Sequence, residues 1–294
     1  MFQAAIQPVC STIRAPAAWC FAAVWGAAGA LLALRGGGGL LPYDVGQLTA
    51  VLVLSWILLL VAAPAEWAPE RVAPWRSRSQ VAVVALAVVL TGADGMAFHR
   101  AGPVALGSIP LWSGLFRALL AAGQAIRLAA SLSNLVTYVI LPLAALLALG
   151  VRPDRLGLTR GRFALRALAV WATPPALAIV GGVVFGGHRP LRLLATLGGN
   201  VLQNGFSEEF LFRGALLTRI AALAGPAWGL VLSSLAFGLW HLGANWPGVH
   251  GDAIAAACAG VCGQGSIGLG LGVVFLRTRS LLAGTVIHIL LDAV

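Results

Sequence analysis

Glu208 and Glu209 stand side by side in the stretch Ser207-Glu208-Glu209-Phe210-Leu211-Phe212-Arg213-Gly214, and they are two of only four glutamates in 294 residues. The surrounding sequence is strongly apolar, and an ionised side chain in hydrocarbon costs several kcal/mol, so an adjacent acidic pair there marks a working site rather than packing. On a helix Glu209 and Arg213 are four residues apart, a favourable order for an ion pair, while Glu208 points about 100° away from Glu209. One acid can be neutralised locally and the other kept for chemistry. Two further polar groups follow: Phe237-Gly238-Leu239-Trp240-His241 at the end of the next apolar run, and His288-Ile289-Leu290-Leu291-Asp292 in the last one. A histidine at a helix end is unremarkable alone, but His288 and Asp292 share a face one turn apart. Glu, His, His and Asp gathered near one membrane face can hold a water and polarise a carbonyl, which is hydrolytic chemistry.

The elements that must carry these residues are helices in a membrane. The chain is 60% hydrophobic, 10% charged and has a mean hydropathy of +0.92, too apolar for a soluble domain. Apolar runs near 17–34, 47–63, 81–98, 131–151, 164–186, 198–220, 226–243, 252–276 and 281–294 approach the ~20 residues of a spanning helix. The fold class is therefore all-α, a polytopic transmembrane bundle of about eight to ten helices. Residues 101–130, holding Arg117, Gln124 and Arg127, read either as an interfacial amphipathic helix or as a further span. The first run follows Arg14 and resembles a signal peptide, but further spans follow at once, so it is expected to be a retained helix. Gly182/Gly186 and Gly268/Gly272 have the small-xxx-small spacing that lets helices approach closely. Residues 1–190 are taken as variable N-terminal transmembrane helices and 191–294 as a catalytic helix bundle, together one integrated membrane domain. If the helices alternate in direction, the start of the Glu208 helix, the end of the His241 helix and the later half of the His288 helix fall on one side of the membrane.

In this order and spacing, E-E-x-x-x-R (Glu208, Glu209, Arg213), F-x-x-x-H (Phe237, His241) and H-x-x-x-[N/D] (His288, Asp292) resemble the CPBP family of intramembrane endopeptidases. That family includes the CAAX prenyl endopeptidases, bacteriocin-processing or self-immunity proteins and bacterial branches such as the myxosortases. The resemblance covers roughly residues 198–294. It implies Glu208 as general base, His241 as its partner in activating water, His288 and Asp292 on the oxyanion side, and Glu209 with Arg213 bracing the site or contacting substrate. Many members carry Asn at the last position; Asp292 can donate to an oxyanion only if protonated, and otherwise orients His288.

Other protease chemistries do not fit. No H-E-x-x-H is present, Ser113 and Ser266 lack the surroundings of a serine nucleophile, and neither Tyr43-Asp44 nor Gly92-Ala93-Asp94-Gly95 completes an aspartyl protease pair. No cofactor is required by the sequence. A divalent metal such as zinc, held by Glu208, His241 and His288, and a metal-free glutamate mechanism both fit the same residues. The rival classes are a transporter or proton-relay protein, which also uses intramembrane acids and histidines, and a non-catalytic immunity or scaffold protein. Expected partners are a peptide or protein substrate, lipid-modified or membrane-anchored, and the bilayer itself. The net charge of +10 resides in 19 arginines clustered between apolar runs, which orients loops and gives no nucleic-acid surface. With Arg213 set aside and nine alternating spans, twelve arginines fall on one side and six on the other. The positive-inside rule then puts the N-terminus in the cytoplasm and the three motif groups toward the outer face. Lysine is absent beside abundant Ala, Gly, Leu and Arg, as in a GC-rich genome, so the expected location is a bacterial inner membrane.

Overall fold

A computed structural model describes residues 15–63, 73–99, 109–128, 130–187 and 189–294, and among them every regular element is helical. Arg14, Arg71 and Arg100 of the arginine tally lie outside the described residues. The helices are α1 (Pro16–Leu32), α2 (Leu41–Val61), α3 (Pro74–Phe98), α4 (Trp112–Ala125), α5 (Ser131–Ala148), α6 (Ala164–Trp171), α7 (Thr173–Val184), α8 (190–224), α9 (Pro226–Trp240), α10 (Ala253–Cys262), α11 (Gln264–Thr278) and α12 (Leu281–Leu291). Proline opens α1, α3, α8 and α9, where its missing N–H falls among donors that have no partner in the helix anyway. Asp252 caps α10 by accepting from the N–H groups of Ile254 and Ala255.

Each of the nine expected segments is helical, with different ends. Among the described residues four helical stretches are long and apolar enough to cross a membrane, Pro16–Val61, Pro74–Phe98, Ser131–Ala148 and Ala253–Thr278, and the pair α6 and α7, bent by 48°, makes a fifth if counted as one span. Of the remaining helices α9 stops after 15 residues at His241 and α12 has 11, each shorter than a spanning helix. Pro16–Val61, at 46 residues, would be about 70 Å if straight. Gly36, with φ +83°, breaks it into α1 and α2, which run up and down beside α10 and α11. Arg35 pairs with Asp252 at the start of α10, Trp25 Nε1 donates to the Cys262 carbonyl midway, and Arg277 donates to the Ala62 carbonyl at the far end. Within 101–130, α4 has 14 residues, too short for a span. It buries Ser113, Phe116 and Gly123 and exposes Arg117 and Gln124, as an interfacial amphipathic helix does; residues 101–108 and 129 lie outside the described residues.

The C-terminal helices form the centre. Phe210, Leu211, Phe212, Leu217, Phe237, Phe275 and Leu281 make a sealed core against α3 and α5, while the outer faces of α2, α6 and α7 expose Leu52, Trp56, Leu165 and Leu177, the apolar exterior that suits lipid. Glycines set the tightest contacts. A Cβ on Gly268 would stand 3.2 Å from Ser234 and from Phe237, so the expected close approach is made there, whereas Gly186 has only its own Gly182 within reach. Backbone meets backbone at the crossing of α9 and α10, where a Cβ on Gly238 would lie 2.6 Å from the Gly260 carbonyl oxygen and one on Gly260 would meet the Gly238 carbonyl oxygen in turn.

Gly238→Ala is therefore expected to cost about 1–3 kcal/mol by overpacking against backbone that cannot rotate away. Gly26→Ala, where a Cβ meets nothing within 4 Å, should leave stability unchanged. Thermal unfolding of the two detergent-purified variants compares them directly, and equal midpoints would contradict the crossing described.

Candidate active site

The site is built where α8, α9 and α12 meet. Glu208 and Glu209 occupy a short α-helical turn, Phe206–Glu209, between two more widely wound stretches of α8, Val201–Gly205 and Phe210–Leu217. Such π segments re-aim side chains and recur at functional positions. Both glutamates are buried, Glu208 5% and Glu209 1% exposed, yet their surroundings differ.

Glu209 is compensated. Its Oε1 lies 2.9 Å from Arg213 Nη1, and the same oxygen accepts from His288 Nδ1 at 2.9 Å. Arg213 is itself enclosed, its guanidinium 4.3 Å above the centre of the Phe237 ring, with Nη2 donating to the Gly268 carbonyl at 3.4 Å. Room for the Glu209 carboxylate on α12 comes from Gly284, where a Cβ would stand 2.8 Å from Glu209 Oε2. The carboxylate fixes the His288 ring: an ionised carboxylate only accepts, so Nδ1 carries the proton and Nε2 faces the other way.

That other direction is Glu208. Its Oε2 is buried, accepts no hydrogen bond among the described residues, and lies 3.7 Å from His288 Nε2 and 3.8 Å from His241 Nε2. His241 is oriented in the same manner, its Nδ1 donating to the Phe237 carbonyl at 2.8 Å, which leaves Nε2 with a lone pair. The gaps around Glu208 exceed a direct hydrogen bond, but a water above the triangle can reach all three atoms. Asp292, one turn beyond His288, has Oδ1 3.7 Å from His288 Nε2, while its Oδ2 accepts from Asn200 Nδ2 at 2.7 Å. All six residues singled out in the sequence, Glu208, Glu209, Arg213, His241, His288 and Asp292, thus come together in one place.

The zinc alternative meets a different result. Among the described residues no three His, Cys, Asp or Glu side chains are grouped to hold a metal ion. The nitrogen-to-oxygen separations of 3.7 and 3.8 Å within Glu208, His241 and His288 are also wider than the roughly 3.3 Å between neighbouring ligands on a tetrahedral zinc with bonds near 2.0–2.1 Å.

Glu208 and His241 open on a cavity of about 320 Å³, walled also by Asp94, Phe98, His99, Phe116, Asn134, Tyr138, Gln203, Asn204 and Trp240. Most of these lay outside the sequence reading. Asn200 and Asn204 could have been found, since they precede Glu208 at steps of four on one helix, a polar file in an apolar run. Tyr138 and Phe116 carry no such signal, and Asp94, visible as an acid in an apolar run, has nothing in the sequence that ties it to Glu208, because all three come from helices remote in sequence.

Residues 190–294 match a family model described as type II CAAX prenyl endopeptidase Rce1-like. The curated proteins and the solved structures give no match. The matched region contains the six convergent side chains and the Asn200–Asn204 file, whereas Asp94, Phe116 and Tyr138 lie outside it.

Arg213→Ala leaves Glu209 buried without its guanidinium and is expected to destabilise the protein by about 3–5 kcal/mol. Arg152→Ala, at a side chain 77% exposed, should change stability by less than about 0.5 kcal/mol. Denaturation midpoints in detergent measure the contrast.

Proposed function

We propose that this chain, an integral membrane protease whose residues 190–294 are a type II CAAX prenyl endopeptidase domain of the Rce1-like kind, hydrolyses a peptide bond near the membrane surface with Glu208 as general base. One observation carries the reading. Glu208 Oε2 is a buried acceptor with no hydrogen bond, faced by two imidazole Nε2 atoms at 3.7 and 3.8 Å, and its residue lines a cavity large enough for a peptide segment.

In this reading a water bound over the triangle gives a proton to Glu208, assisted by the His241 Nε2 lone pair, and its oxygen attacks the scissile carbonyl carbon. The oxyanion faces His288, whose Nε2 donates when the ring carries both protons. Glu208 then passes its proton to the leaving amine, and the C–N bond breaks. Glu209 and Arg213 do not touch the reacting atoms; they hold His288 in register through the Nδ1 hydrogen bond. Asp292 is acceptor to Asn200 and sets the far side of the His288 ring.

Residues 1–190 act as the scaffold and residues 191–294 supply the chemistry. The substrate is a peptide or protein, and a membrane-anchored or lipid-modified segment fits a site at the end of short helices. The positive-inside tally places the site toward the outer face of a bacterial cytoplasmic membrane, with the loop around Trp246 outside.

Glu208→Gln should lower cleavage by at least about a hundredfold while the protein remains folded. Comparing protein termini in membrane and secreted fractions from cells carrying wild type or Glu208→Gln reads this directly. An unchanged set of termini, with the variant stably present, would refute the general-base role. A reporter fused after Trp246 should be active only when exported, and cytoplasmic activity there would reverse the orientation.

A further inference from the structure

The cavity has a second carboxylate that the hydrolysis above does not use. Asp94 lies on α3, is 3% exposed and lines the same cavity as Glu208. Its Oδ2 accepts from Trp112 Nε1 at 2.9 Å, and its other oxygen accepts no hydrogen bond among the described residues. It forms no ion pair among them either, although the chain carries 19 arginines. The acid is held deliberately beside the site. α4 supplies the Trp112 donor, and Gly95, next to Asp94, touches the segment after His241 so closely that a Cβ on Gly243 would stand 2.8 Å from the Gly95 carbonyl oxygen. Tyr138 lines the same cavity as Asp94 and Glu208.

The rest of the lining defines what this acid can bind. Phe98, Phe116, Tyr138 and Trp240 put aromatic surface around it, and among the described lining residues there is no arginine. An enclosed carboxylate flanked by rings suits a cation on an apolar stem, since the head meets the acid while the stem and charge rest against aromatic faces. We infer that Asp94, positioned by Trp112, forms a specificity pocket for an arginine or lysine side chain of the substrate close to the scissile bond. A cavity of about 320 Å³ is roughly 7 Å across, and an extended chain advances about 3.3 Å per residue. The basic side chain therefore sits within two residues of the cut. The inference rests on Glu208 as the general base, because that fixes where the cut is made.

The test uses the full-length protein in detergent and a library of synthetic peptides in which one position is either arginine or citrulline, its neutral isostere, with cleavage read by mass spectrometry. Wild type should cut arginine peptides about tenfold or more faster than their citrulline twins when that position lies within two residues of the cut. Asp94→Asn should bring the ratio to about one, and Asp94→Glu should restore a preference for arginine. A wild-type ratio of one, or a ratio unchanged in Asp94→Asn, would overturn the inference, and the wild-type ratio decides the matter even if Asp94→Asn fails to fold. Cleavage that persists in Glu208→Gln would instead overturn the general-base reading and the pocket with it.

Discussion

Two buried carboxylates stand beside one guanidinium, and only one of them is paired with it. Arg213 pairs with Glu209 and leaves Glu208 with no cation except what an imidazole can provide. Uncompensated charge in an apolar setting is costly, so the arrangement persists only because the groups around it are fixed. Phe237 lies under the guanidinium, Gly284 opens the backbone for Glu209, and the Glu209–His288 hydrogen bond spends the compensated acid on orientation. In the proposed mechanism the reactive group is the acid that this network omits.

The N-terminal helices have a role beyond bulk. α3, α4 and α5 supply Asp94, Phe98, Phe116, Asn134 and Tyr138 to the cavity that Glu208 also lines, so in the proposed reading much of the surface a substrate meets comes from outside the stretch that carries the reacting groups. Trp240 joins the two. It stacks edge-on against Tyr138 and Phe212 and donates Nε1–H to Thr91 on α3, tying the helix that ends at His241 to the wall that holds Asp94. Changes in α3 and α4 can therefore alter what is bound without touching what reacts.

The sequence made the chemistry more legible than its enclosure. Charged residues are rare in apolar runs, so Glu208, Glu209, Arg213, His241, His288 and Asp292 stand out by type alone, and alternation of spans was enough to bring them to one side. Helix ends were less legible. The gap between the runs 17–34 and 47–63 holds the break at Gly36, but the 48° bend between α6 and α7 falls inside the single run 164–186. The π segments around Glu208 were invisible, because they depend on packing and not on residue period. Asp94 was legible as an intramembrane acid, but its place beside Glu208 depends on how α3 packs against the segment after His241, which no local pattern encodes.

The same geometry bears on the choice between hydrolysis and ion movement. A relay needs polar groups on both sides of its central acid. On the cavity side of Glu208 they are present, as Asn204, Gln203 and Asn134, which can hydrogen-bond water down to the carboxylate. On the other side α8 continues through Phe210, Leu211, Phe212, Ala215, Leu216 and Leu217, all buried in the apolar core. The next polar groups along that helix are Thr218, whose hydroxyl donates back to the Gly214 carbonyl, and Arg219, hydrogen-bonded to Gln80, which in turn donates to the Leu149 carbonyl. Beyond Arg213, itself committed to Glu209, no titratable side chain on α8 bridges that interval. Among the described residues water can thus reach Glu208 from the cavity and meets no polar path onward along α8, an arrangement that favours the proposed hydrolysis over transport through this helix.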